Sequence, residues 1–433
     1  MRNRRFHSKA IRTFLIMVVG ASLPYNWAKA DSLTPISQTQ EDPFAEMDGS
    51  QLTSIPTYQS VPPKSFWDQF FAENFTFKKE AYLQISHGPQ QTDSDQDINN
   101  RWYSRQSVGF ETLKKFSTQT STVASFNFQG RMVRRDNFIP VINDEEGGSR
   151  EGWFFEYHNA YFDLYNILNP LLDDQQRGSV IGNFNFRIGR FYLPFGINLQ
   201  TDTHGTLLQL SNERNFGFER DWYAGFWGSI NRDLNYDLYY MLGAGYDPSF
   251  KGQDGLLGGR VSLADAYLND FGLQGGLSVM AGQRRSGHAL DRSAAVSRAA
   301  TDGEFIQTKR FGIDTRYTHL VPSGSLTGTV ELSTGKDESE VVFTHLSQVE
   351  YLNRSRKWGI GSQYRRFHQN ISQPSPAVTN EADSSMIGEL TWFFRNDIGN
   401  TNLHWIKLNI EKQLERMEGK LGAVTTIQYY HYW

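Results

Sequence analysis

From Phe66 onward the chain is dominated by segments of about ten residues in which apolar and polar side chains alternate, separated by clusters of Gly, Asn, Asp, Ser and Pro. The clearest spans Leu234 to Ala244, with Leu234, Tyr236, Leu238, Tyr240 and Leu242 on one face and Asn235, Asp237, Tyr239 and Gly243 on the other. The stretch from Phe271 repeats it, with Leu273, Leu277, Val279 and Ala281 against Gln274, Gly276 and Ser278. So do Leu326, Val330 and Leu332 against Thr327, Thr329, Glu331 and Ser333, and His404, Ile406, Leu408 and Ile410 against Trp405, Lys407, Asn409 and Glu411. Strands with one lipid-compatible and one water-compatible face predict an all-β fold, a transmembrane antiparallel β-barrel. About sixteen strands are expected, beginning near Phe75, Tyr103, Ser121, Phe154, Val180, Tyr223, Leu234, Leu256, Phe271, Phe305, Leu326, Val342, Trp358, Met386, Leu403 and Leu421.

Loop lengths add a direction. Connections such as Asn231-Arg232-Asp233, Val321 to Ser325 and Arg354-Ser355-Arg356 are short, whereas most on the opposite side are long and polar. Short periplasmic turns facing longer external loops are the habit of bacterial barrels. The brief external connections near Lys336 and Glu418 and the long periplasmic one around Pro170 depart from it. Aromatics at strand ends, Trp153, Trp222, Trp227, Trp358, Trp392 and Trp433, fit an interfacial girdle. The last strand carries Trp433, His431, Tyr429, Ile427 and Thr425 at alternate positions, and closes the barrel on the periplasmic side. This resembles the terminal signal read by the outer-membrane assembly machinery, with His431 in place of the usual apolar residue.

The chain's start explains how such a barrel would leave the cytoplasm. Arg2, Arg4, Arg5, Lys9 and Arg12 precede an apolar run from Phe14 to Leu23, and Ala28-Lys29-Ala30 precedes Asp31. These are the three parts of a signal peptide, expected over residues 1–30. A polar, proline-bearing stretch follows, and residues 31–73 read as a periplasmic arm or short helix ahead of a barrel over 74–433. Removing the signal peptide leaves 37 basic against 47 acidic residues, a net charge of −10, which argues against nucleic acid as a partner. Hydrophobic residues make up 38% and aromatics 14%, a balance that suits a wall with only alternate residues in lipid. There is no cysteine, hence no disulfide framework or thiolate metal site, and no cofactor motif is found.

Alternation nominates charges for the inner wall. The basic candidates are Arg105, Arg131, Arg187, Arg310, Arg316, Arg365, Arg395 and Lys407, and the acidic ones Asp163, Asp237, Asp314, Glu331, Glu389 and Glu411. Charge in a lumen tunes ion selectivity, although each such residue is also explained as a paired, solvated wall charge. The longest connection, about Leu193 to Asp221, counts as the third external loop and is expected to fold inward and narrow the pore. It carries Asp202, His204, Glu213, Arg214, Glu219, Arg220 and Asp221 as candidate constriction groups, with Phe195, Phe216 and Phe218 to pack it against the wall.

The segment Gly189-Arg190-Phe191-Tyr192-Leu193-Pro194-Phe195-Gly196 resembles a strand-to-loop element of the phosphate-selective porin O and P family, and Glu213-Arg214 and Arg220-Asp221 leading to Gly228 resemble its next landmarks. The glycine expected soon after Arg-Asp is displaced, with Tyr223 and Ala224 preceding Gly225. The resemblance implies a sixteen-stranded, water-filled, homotrimeric channel with an anion preference, set among outer-membrane lipid in a Gram-negative bacterium and passing small hydrophilic solutes or anions. Read physically, Pro194 ends strand pairing, and Gly189 and Gly196 permit a sharp exit. Phosphate selectivity needs a closely spaced row of cations, and no single alternating segment holds one.

Two rivals remain. An enzyme would need a nucleophile or activated water beside a positioned base, yet the ten histidines are scattered, with His158, His319 and His404 each in a strand, and no hydrolase, metalloprotease or nucleotide motif occurs. A transporter of hydrophobic compounds with an N-terminal hatch is suggested by Phe66, Trp67, Phe70, Phe71, Phe75 and Phe77, the first four of which fit one face of a short helix.

Overall fold

The computed structural model describes residues 74–89, 101–117, 122–136, 152–168, 184–197, 220–245, 248, 254–285, 305–370, 382–397, 402–415 and 421–433. The expected signal peptide and N-terminal arm lie outside them. Eight strands form the first half: β1 (Phe75–Gly88), β2 (Arg101–Ser117), β3 (Thr122–Asp136), β4 (Trp153–Leu164), β5 (Asn185–Tyr192), β6 (Arg220–Ser229), β7 (Leu234–Met241) and β8 (Leu256–Leu263). A short helix, α1 (Asp265–Phe271), leads into β9 (Leu273–Arg285), β10 (Phe305–Val321), β11 (Gly324–Asp337), β12 (Glu340–Asn353), β13 (Trp358–Gln369), β14 (Ala382–Asn396), β15 (Leu403–Glu415) and β16 (Ala423–Tyr432). The helix replaces the start of the strand expected at Phe271; Gly272 ends it in the left-handed conformation, its amide donating back to Leu268.

Each strand pairs antiparallel with its sequence neighbours, and β1 pairs with β16 to close a sixteen-stranded barrel. Tyr82 opposes Tyr430 and Ile85 opposes Ile427 in that seam, and Lys79 and Trp433 exchange backbone bonds of 2.8 and 3.0 Å at its end. Closure leaves no strand edge, the condition for a sheet to lie in hydrocarbon.

The period of two separates the faces as hydropathy predicts. Leu277, Ile313, Leu390 and Ile410, from four strands, are exposed, whereas their neighbours Ser278, Asp314, Glu389 and Asn409 are buried. In water this would be inverted; in a bilayer the apolar surface faces lipid and the polar one the lumen. Trp102, Trp153, Trp358, Trp392 and Trp433 stand exposed at or near strand ends, as interfacial aromatics do. Trp227 departs from the expected girdle. Register pairs it with Asn185 and Asp237 on the inward face, where its ring lies 5.4 Å from the Arg187 guanidinium.

Irregularities are satisfied locally. The register shift between Gln129 and Gly130 leaves an extra residue in β4, and the Arg190 guanidinium donates to the carbonyls of Tyr157 (3.0 Å) and His158 (2.6 Å). Arg190, part of the Gly189-to-Gly196 element, thus supplies donors where the ladder is interrupted.

The two faces carry different tolerances. Ile313→Arg, in the middle of outward β10, should cost about 2–4 kcal/mol, and Gln307→Arg, near the rim of the same face, about 0–1 kcal/mol. Urea unfolding in lipid vesicles measures both; equal costs at the two depths would contradict a membrane-spanning exterior.

Candidate functional site

Charges on the inward wall pair with a neighbouring strand or reach across an intervening one. Glu80 on β1, Gly109 on β2 and Arg131 on β3 stand in register, and Arg131 donates through Nε to Glu80 Oε1 and through Nη2 to Glu80 Oε2 at 2.9 Å. The pairing depends on the missing side chain between them. A Cβ at Gly109 would lie 2.5 Å from Glu80 Oε1 and 2.6 Å from Arg131 Cγ. Arg131 also contacts the His158 ring, 3.1 Å away. Arg105 and Arg135, directly opposite on β2 and β3, share Glu156 of β4 at 3.1 and 3.0 Å, one to each oxygen. Three guanidiniums therefore converge on two carboxylates and an imidazole along β1 to β4.

Other pairs follow round the wall. Arg187 forms a fork with Asp163 at 2.6 and 2.8 Å, its guanidinium lying 4.3 Å from the Tyr161 ring centroid and 3.9 Å from that of Phe191. Arg260 pairs with Asp314 on β10. Asp337 of β11 accepts from Arg284 (2.9 Å), Arg310 (2.6 Å) and Thr308 (2.5 Å). Arg316 approaches Glu350 at 4.0 Å, Arg365 pairs with Glu411 at 2.6 Å, and Lys407 pairs with Glu389 at 2.9 Å. Arginine's planar fork matches a carboxylate, and pairing lets such charges lie buried.

Of the residues nominated for the wall, Arg395 is placed differently. The register shift between Phe393 and Arg395 aligns it with outward His404, and it pairs with Asp397 at the strand end with 60% of its side chain exposed. A bulge reverses alternation beyond it, which a strict two-residue count cannot foresee. Glu80, Arg135, Glu156, Arg260, Arg284 and Asp337 were not nominated. Each lies on the inward face of an alternating segment, but its partner sits on another strand and depends on register.

The segment leaving β5 makes contacts far round the barrel. Gly189 and Gly196 both have positive φ, 131° and 71°. Leu193 and Phe195 are buried with Phe191, Tyr192, Tyr223, Tyr239, Met241, Leu256 and Met280 in one apolar cluster. The Gly196 amide donates to Ser278 Oγ on β9 at 3.1 Å, and a Cβ at Gly196 would meet Glu331 of β11 at 2.7 Å. The Phe195 ring lies over Gly312 of β10, within 2.9 Å of where a Cβ would stand. Asp202, His204, Glu213, Arg214 and Glu219 lie outside the described residues. Arg220 opens β6, stacked on Tyr192 with its guanidinium 4.1 Å from the ring centroid. Asp221 accepts from the amides of Gly243 (2.6 Å), Ala244 (3.3 Å) and Gly245 (2.9 Å), tying the connection after β7 to the start of β6. Among the described residues no group of three or more His, Cys, Asp or Glu is arranged to hold a metal ion.

No protein-family model matches the chain, and no curated protein does. Solved structures do. OprB of Pseudomonas putida in its high-pH form is similar over 84% of this chain and 96% of its own, at 8% identity and a TM-score of 0.52. OmpF of Salmonella typhi in complex with daunomycin covers 83% of this chain and 97% of its own at 10% identity, with a TM-score of 0.49. An anion-selective porin from Comamonas acidovorans covers 83% and 99% at 10% identity, also with a TM-score of 0.49. At 8% identity the likeness to OprB is one of fold.

Filling the gap at Gly109 should separate Arg131 from Glu80. Gly109→Val is expected to destabilise the barrel by about 3–5 kcal/mol, the usual cost of breaking a buried pair. Gly328→Val, where a Cβ meets nothing within 4 Å, should stay within about 0.5 kcal/mol. Parallel urea titrations compare the two, and equal midpoints would contradict the role given to Gly109.

Proposed function

We propose that the chain is a porin-type channel for passive diffusion of small hydrophilic solutes across the outer membrane of a Gram-negative bacterium. The observation that carries this reading is a closed sixteen-stranded barrel whose apolar surface points out and whose charged surface points in. A barrel of that size leaves an aqueous channel, and a charged wall requires water or polar solute against it. The inward fold of the third external loop is part of the proposal, supported by the contacts of Phe195 and Gly196 with β9, β10 and β11. Homotrimeric assembly is carried by the resemblance of the Gly189-to-Gly196 element, and the mass of the detergent-extracted complex tests it.

A preference for anions is a second reading, favoured by Arg105, Arg131 and Arg135 converging on one stretch of wall. A transporter of hydrophobic compounds has less support, because, of the stretch that suggests its hatch, Phe66, Trp67, Phe70 and Phe71 lie outside the described residues, Phe75 and Phe77 belong to β1, and the described wall is charged.

Reconstitution into planar bilayers should give stepwise conductance; folded protein without it would remove the porin reading. Excising residues 203–216 should enlarge each step, and an unchanged step would count against constriction. Arg135→Gln should shift the reversal potential in a salt gradient toward cations, and no shift would dismiss the arginine cluster as a selectivity element.

A further inference from the structure

The inner wall from β14 to β16 holds a cluster of polar atoms that is not internally satisfied. Glu389, Asn409 and Thr426 stand in register on β14, β15 and β16, near the middle of each strand, and Lys407 with Gln428 forms the adjacent row. Part of the set is accounted for. Lys407 Nζ lies 2.9 Å from Glu389 Oε1, which also accepts from Thr391 at 3.0 Å. Gln428 Nε2 donates to the Tyr82 hydroxyl at 2.5 Å, and Thr426 shares a 2.9 Å bond with Ser86.

Four atoms are left over. Among the described residues no hydrogen-bond partner reaches Glu389 Oε2, Asn409 Oδ1, Asn409 Nδ2 or Gln428 Oε1, although the three residues are only 9%, 2% and 1% exposed. Buried polar atoms are rarely left unpaired, at about 1–3 kcal/mol each, and a cluster on adjacent strands marks where a polar partner belongs.

The leftover set defines that partner: three acceptors and one donor, in neighbouring positions. An anion would face three lone-pair-bearing oxygens, and Lys407, the cation at hand, already pairs with Glu389. An ammonium could serve the acceptors but would leave Asn409 Nδ2 unanswered, since it accepts nothing. Hydroxyl groups both donate and accept, so adjacent hydroxyls can satisfy the amide of Asn409 at both atoms while donating to Glu389 and Gln428. Adjacent strands are about 4.8 Å apart, a spacing within the reach of one small polyol.

We propose that Glu389, Asn409 and Gln428 form a subsite in the channel wall for a neutral polyhydroxylated solute. The subsite rests on the porin reading, since solute reaches it only through an open lumen. A weak, saturable site at mid-wall favours entry of its solute while permitting release.

The test uses the full-length mature protein in proteoliposomes, with labelled sorbitol as probe and potassium chloride conductance measured alongside. Sorbitol influx should saturate in the wild type, and its half-saturation concentration should rise about ten-fold in Asn409→Leu. Should Asn409→Leu not fold, Gln428→Met removes an acceptor from the same subsite and carries the same expectation. Linear sorbitol influx through conducting wild-type channels would overturn the subsite while leaving the porin reading intact. Saturation unaltered in both variants would overturn it too, the leftover atoms then holding ordered water only. Absence of conductance in folded wild-type protein would overturn both readings together. Choline influx should stay linear throughout; choline saturating as sorbitol does would refute the choice of hydroxyls over a cation.

Discussion

The pairing of β1 with β16 is the constraint on which the remaining structure depends. In hydrocarbon no water can answer an exposed N–H or C=O, so a sheet survives only without edges. The seam that joins residues 80–87 to 425–432 completes the ladder. Once the circle closes, the alternation of every strand is committed: a residue faces lipid or lumen, and a slip of one position would exchange the two. That is why Leu277 and Ser278, adjacent in sequence, lie in opposite solvents.

Closure also determines how the wall manages its charges. Inward positions on neighbouring strands stand level, so side chains are crowded sideways: some charges pair with the next strand, as Arg187 does with Asp163, and other long ones pass over a strand to find a partner. Gly109 lets Arg131 reach Glu80, and similar reaches join β8 to β10 and β13 to β15. Paired in this way, the guanidiniums are held in fixed forks rather than sampling the lumen, and each carries little unopposed charge. Where arginines outnumber their carboxylates, as beside Glu156, the balance is broken locally.

Most of the architecture was readable from the period of two. Fifteen strands begin within a few residues of where alternation places them, because lipid on one side and water on the other leave little freedom in composition. The exception is β5, expected from Val180 and observed from Asn185. The site was less legible. Arg105, Arg131, Arg187, Arg310, Asp314, Arg316, Glu331, Arg365, Glu389 and Lys407 lie in inward register as alternation suggests, but nothing local says that Arg131 meets Glu80, fifty-one positions away. Arg395 and Trp227 show the limit from two sides. A bulge turned the arginine outward, and the tryptophan, placed by its position at a strand end among interfacial aromatics, belongs by register to the lumen.

The same crowding leaves neutral polar atoms without partners on several strands, and the wall from β14 to β16 holds a cluster of them. A single ammonium leaves Glu389 Oε2 unanswered, whereas a fork and a carboxylate exhaust most of each other's bonding capacity. Amides and hydroxyls do so less completely, because each carries donors and acceptors in directions that strand register does not always match. Asn409 stands between Glu389, already engaged by Lys407 and Thr391, and Thr426, already engaged by Ser86, so both ends of its amide remain unanswered. Ion pairs on this wall thus serve the barrel's cohesion, and Glu389, Asn409 and Gln428 keep bonding capacity that the barrel itself does not use.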